Sequence, residues 1–144
     1  MPGWVVAGWE DYARRLPREF ALELVELKPE PRERGKPVPQ LLAAEAARIA
    51  HASRGARVVA LDERGKPWTT RTLADHLARW RDDAADVAFV IGSADGLAEP
   101  VKAGAAAVVS LSALTLPHGM VRVIVAEQLY RAASLLTGHP YHRD

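Results

Sequence analysis

Three short apolar runs, ARVVALD (56–62), DVAFVIG (86–92) and VVSLSAL (108–114), each hold consecutive apolar residues rather than a sustained polar–apolar alternation. A strand with one wet face alternates with period two, so a continuous valine-rich run reads as a strand covered on both faces. Helix-like segments separate these runs. TLADHLARW (72–80) has Thr72 as a plausible cap, and EPVKAGAAA (99–107) has proline near its first turn. Buried strands alternating with helices point to an α/β domain with a largely parallel sheet, because parallel neighbours need a long crossover between them.

The remaining segments fit around that alternation. An amphipathic segment over 4–16 stops before Pro17, and ALELVELK (21–28) alternates apolar and acidic residues as a half-buried strand does. PEPRERGKP (29–37) is linker-like, and QLLAAEAARIAHA (40–52) has helical period. The last helix is expected from Met120 to Leu136, ended by Gly138 and Pro140.

At 144 residues, 49% of them hydrophobic, the chain is one domain in length with material for a single good core. Charged residues make up 26% with a net charge of +1, which argues against disorder and against a strongly basic nucleic-acid binder. The absence of cysteine removes disulfides, thiolate metal sites and cysteine catalysis. No signal-peptide pattern opens the chain, and Arg122 and Glu127 interrupt the apolar MVRVIVAEQL stretch. The expectation is a soluble cytoplasmic protein with no membrane partner.

In open parallel sheets ligands bind at the carboxyl ends of the strands. Three strand-end loops follow the apolar runs: ERGKPW (63–68), SADGL (93–97) and LTLPHG (114–119). GSADG is not G-x-G-x-x-G, no P-loop occurs, and SLSAL is not a G-x-S-x-G elbow. His139 and His142 with Asp144 are poorly spaced for a metal in a proline-containing tail, and no metal is expected. His51 and His76 read as surface positions on helices. In the last helix Glu127 and Arg131 stand at i and i+4 and can pair, and a helix this apolar suits a subunit interface. The chain stops at GHPYHRD (138–144), its densest group of titratable and aromatic side chains.

Together DERGKPW, VAFVIGSADGL, SLSALTLPHGMVRVIVAEQLYRA and GHPYHRD resemble the ribosomal RNA large-subunit methyltransferase H family, over nearly the whole chain. These are small SPOUT-type enzymes that methylate N3 of a pseudouridine in 23S ribosomal RNA. The resemblance implies an α/β methyltransferase domain over 1–144 whose C-terminal part forms a trefoil knot, with S-adenosylmethionine as cofactor. Carried over by position, the cofactor residues are Leu61, Gly92 and the run Leu111, Ser112, Ala113, Leu114, Thr115 and Leu116. Gly92 would let backbone approach the cofactor, and Leu111, Leu114 and Leu116 would enclose its adenine.

The same resemblance implies a homodimer acting on the assembled ribosome. Tyr141, His142 and Arg143 would lie over the methyl group of the partner's cofactor. His118 or His142 is assigned to the N3 proton, Tyr141 to stacking on the base, and Arg143 to a phosphate or ring oxygen. Arg14, Arg15, Arg18, Arg32, Arg34 and Lys36 are candidate phosphate contacts.

Two departures from the family pattern stand out. Its members usually begin with an apolar strand that is not found here before MPGWV, and Ser93, Ala94 and Asp95 replace a glycine, a proline and a glutamate in the turn. A weakened cofactor site is expected from the second. An alternative reading is a catalytically impaired, truncated ribosome-binding homologue of the same fold.

Overall fold

The computed structural model describes residues 1–33, 35–93 and 95–141. Arg34, Ala94, His142, Arg143 and Asp144 lie outside the described residues. The order is α1 (Gly3–Ala13), a 3-10 turn (Arg18–Phe20), α2 (Val38–Ala52), β1 (Arg57–Pro67), α3 (Thr70–Asp82), β2 (Val87–Ile91), α4 (Glu99–Ala103), β3 (Ala107–Ser110) and α5 (His118–Thr137). These elements form two compact units.

The first unit holds all three strands. The sheet has the order β2-β1-β3 and both ladders are parallel, as the continuous apolar runs require. Ala60, Val90 and Leu97 form its core, with Ile49 of α2 and Val101 of α4 packed against them. Leu61 is the last β1 residue paired with β2, opposite Ile91, and it also faces Val109 of β3.

Beyond Leu61 the strand does not end. ERGKPW is no strand-end loop: β1 bulges and then resumes, with Lys66 facing the same Val109 that Leu61 faces and Pro67 facing Ser110. Gly65 makes this possible. A Cβ there would stand 2.7 Å from the Val109 amide nitrogen and 2.8 Å from the Val108 carbonyl, closer than any side chain can sit.

The second unit is helical, built from α1, α3 and α5. Val125, Ala126, Leu129, Ala132 and Ala133 form one buried stripe along α5, the i, i+1, i+4, i+7, i+8 pattern of an inward face. Glycine brings α1 and α5 close: a Cβ on Gly119 would meet the Val5 side chain at 2.7 Å, and one on Gly8 would meet Val123 at 3.2 Å. Thr70 Oγ1 donates to Gln128 Oε1 at 2.7 Å and ties α3 to α5. Gly138, at φ 73°, ends α5 in the left-handed cap that its sequence position suggested.

Several expectations are corrected. Residues 21–28 form no strand among the described residues: alternation specifies a face, but a strand also needs a ladder, and none pairs with this segment. The cap of α3 is Thr69, whose hydroxyl accepts from the Thr72 amide at 3.0 Å, so Thr72 already lies in the first turn. α1 stops at Ala13, three residues short of the expected end, ahead of the restricted pre-proline position. α4 ends at Ala103, capped by Gly104, and the alanines beyond it enter β3. β3 leaves the sheet at Ser110 because hydroxyl bonds close a turn there. Ser110 Oγ donates to the Ser112 carbonyl at 3.0 Å, and the Leu114 amide donates to Ser112 Oγ at 2.9 Å.

Candidate active site

In the sheet unit the register fixes one edge. Leu61 faces Ile91 and Val109, so Gly92 follows immediately on β2 and Leu111 two residues on after β3. Leu61 and Gly92 therefore stand where the β1–β2 ladder ends, and Leu111 follows β3 on the other side of β1. Leu111 is exposed and Leu114 is 75% exposed, so apolar side chains stand uncovered beside a backbone turn. That combination suits a flat, partly apolar heterocycle read by main-chain groups, and an adenosyl methyl donor fits it. Ser112 shapes the loop through its two bonds, and Ala113 is exposed. Thr115 and Leu116 continue the chain into the helical unit, ahead of the α5 cap Pro117.

Gly92 has a reason to be glycine that the sequence did not reveal. A Cβ there would lie 2.6 Å from the carbonyl carbon and oxygen of Gly96. The turn folds back on Gly92, closed by the Gly96 amide donating to the Ser93 carbonyl at 2.9 Å, with Gly96 at φ 85°. Ser93 and Asp95 are held by side chains as well. Ser93 Oγ donates to Glu45 Oε1 at 2.8 Å and accepts from Arg32 Nη2 at 3.0 Å, and the same nitrogen pairs with Asp95 Oδ2 at 2.9 Å.

Glu45 was missed. It sits four residues after the buried Leu41 on the inward face of α2, and that spacing was the available signal. Only 9% exposed, it also accepts from the Glu30 amide at 2.9 Å and Arg32 Nη1 at 3.1 Å. Burial alone would push its carboxyl up; the Glu30 amide, the Ser93 hydroxyl and Arg32 outweigh burial and hold it below the usual glutamate range. A carboxyl held low in the fold stabilises above its unfolded value and loses that stabilisation as pH falls through the folded value. The melting temperature should therefore drop as acidification passes below about pH 4.3, and a thermal melt series should show a shallower drop in Glu45→Gln.

In the helical unit, the chain's C-terminal segment meets α5 and α1. Tyr141 is half-buried, its hydroxyl donating to Glu127 Oε2 at 3.0 Å. Arg131 closes the expected pair with Glu127, Nε at 3.0 Å and Nη2 at 2.8 Å, and its guanidinium lies 4.9 Å over the Tyr141 ring. Tyr130 stands 4.5 Å and Tyr12 6.5 Å from that ring, centroid to centroid. Burial first, then hydrogen bonds with Tyr12 and Glu127, pushes the Tyr141 phenol far above its ordinary range. It stays protonated at neutral pH, so it offers a ring and a donor rather than a base.

His118, the other described catalytic candidate, is exposed at the opposite end of α5. Glu127, which anchors Tyr141, lies nine residues along the helix from it, about 13 Å at 1.5 Å per residue. His142 and Arg143 lie outside the described residues.

Of the candidate phosphate contacts, Arg32 is consumed by Glu45, Ser93 and Asp95, and Lys36 pairs with Glu30 and Glu33. Arg14 and Arg15 share Asp11 in exposed pairs, which cost little to break, and Arg18 is exposed. His51 is exposed as expected. His76 is not a plain surface residue: it stacks on Trp68 at 4.1 Å and touches Trp80 at 5.5 Å, and burial lowers its basicity. No helix among the described residues is long and apolar enough to cross a membrane.

The family described as "Predicted SPOUT methyltransferase" matches residues 1–142. The chain is 56% identical to the "Ribosomal RNA large subunit methyltransferase H" of Nitrosospira multiformis, across 99% of this chain and 92% of that protein. Proteins of the same name from Burkholderia multivorans and Burkholderia mallei are 54% and 55% identical, with the same coverage. With a parallel α/β sheet and a match over nearly its full length, the chain belongs to the SPOUT methyltransferase family.

Proposed function

We propose that this protein is an S-adenosylmethionine-dependent methyltransferase that modifies N3 of a pseudouridine in 23S ribosomal RNA, acting on the assembled ribosome as a cytoplasmic homodimer with a single SPOUT domain and a C-terminal knot. The observation that supports it most directly is the placement of Leu61 and Gly92 at the end of the β1–β2 ladder and of Leu111 just past β3, beside the uncovered Leu114. The names of the relatives supply the substrate class.

Bound at that edge, S-adenosylmethionine supplies an activated methyl group. Displacement at such a methyl asks the protein mainly for alignment. The turn Gly92–Gly96 and the loop Leu111–Leu116 hold the donor, with leucine side chains excluding water from its base. Tyr141 stacks on the uracil ring and Arg143 holds a phosphate or a ring oxygen. His118 or His142 removes the N3 proton, a role closed to the Tyr141 phenol, which burial keeps protonated. The 13 Å helical offset between His118 and the Tyr141 anchor supports a site completed by the tail of a second copy. Arg14, Arg15 and Arg18 contact RNA phosphates.

The test is calorimetric titration of S-adenosylmethionine followed by methyl transfer to ribosomes lacking the modification, with the product nucleoside read by mass spectrometry. Micromolar binding with N3-methylpseudouridine formed on ribosomes is expected. Binding without transfer would instead favour a ribosome-binding homologue that has lost catalysis.

A further inference from the structure

The Ser93 hydroxyl is engaged inside the protein both as donor, to Glu45 at 2.8 Å, and as acceptor, from Arg32 at 3.0 Å. Arg32 reaches the turn a second time through Asp95 at 2.9 Å, and is itself oriented by Glu45 and by the Glu30 carbonyl at 2.7 Å. Glu45 is buried and fixed on α2. A helix, an extended segment and the turn after β2 are thus joined at one carboxylate. The bonds land on the turn that folds against Gly92, close enough that a Cβ there would meet the Gly96 main chain at 2.6 Å. Loops ordered in advance bind more tightly because association no longer has to order them.

We infer that Glu45, Arg32 and Ser93 form a clamp that positions the cofactor turn, and that Arg32 therefore serves the methyl donor rather than RNA. The inference rests on the reading of Gly92 as a cofactor residue. It gives the serine a purpose. Where the family pattern has a glycine, this chain gains a side-chain tether that offsets the changed turn. These three are positioning residues; none of them touches the reacting atoms.

The test combines calorimetry with steady-state kinetics on the full chain. Ser93→Ala and Arg32→Gln should each weaken S-adenosylmethionine binding about tenfold, whereas Ser93→Thr, which keeps the hydroxyl, should bind as the unsubstituted protein does. The KM for ribosomes and its dependence on salt should be the same in all four proteins, a split that a general loss of structure would not produce. If Ser93→Ala binds the donor normally, the clamp is wrong. If Arg32→Gln leaves donor binding intact but raises the ribosome KM with a shallower salt dependence, Arg32 is a phosphate contact and the inference is overturned. Absence of binding by the unsubstituted chain would defeat the cofactor reading itself, and the clamp with it.

Discussion

Gly92→Ala is expected to abolish useful binding of S-adenosylmethionine. The added Cβ would stand 2.6 Å from the Gly96 carbonyl group; its position is fixed by the main chain and what it meets is main chain, so no rotamer change relieves the collision. The turn must move by an ångström or so, and misplacement of that size costs on the order of 100-fold where alignment matters. Stability falls too: overpacking of this kind costs about 1–3 kcal/mol. In a chain of this length that lowers the melting temperature by roughly 3–12 °C. Circular dichroism should still show a folded protein, which separates loss of the site from loss of the fold. Gly92→Trp should behave the same way with a larger thermal penalty. Donor binding by Gly92→Ala at the unsubstituted affinity would remove Gly92 from the cofactor site.

Tyr141→Ala should lower kcat for ribosome methylation by about 100-fold with donor affinity little changed. The substitution removes the ring lying against Tyr130 and Arg131 and the hydroxyl that ties it to Glu127. Tyr141→Phe keeps the ring and should fall much less than Tyr141→Ala, because the aromatic contacts remain and only the hydroxyl bond to Glu127 is lost. Mixing Gly92→Ala with Tyr141→Ala then asks which protomer's tail is used. If the tail serves the partner, each mixed dimer holds one intact site, and roughly a quarter of full activity returns at equal proportions with random exchange. If each tail serves its own protomer, the mixture stays inactive and the shared-site reading fails.

Much of the fold could be read from the sequence because it rests on local patterns. VVAL, VAFVI and AVVS are strands because nothing in them alternates, and the α5 stripe from Val125 to Ala133 has the helical period. What escaped depends on partners distant in sequence. ALELVELK has a face but no ladder, and DERGKP looks like a turn until its glycine is seen pressed on Val108 and Val109. The candidate site divides in the same way. Glu127 with Arg131 follows from spacing, whereas Tyr12 with Tyr141 joins the two ends of the chain. The Glu45 carboxylate lay in between: its position four residues after Leu41 showed where it pointed but not what it held.

The crowding around Gly65 has a further consequence at the level of the gene. Every single-base missense change in a glycine codon yields an amino acid with a Cβ. At residue 65 any such atom lands on the main chain of β3, 2.7 Å from its nearest neighbour there. No stepping-stone substitution is open at this point, so the bulge cannot be explored by gradual drift. A lineage that altered it would need a compensating shift of β3 already in place.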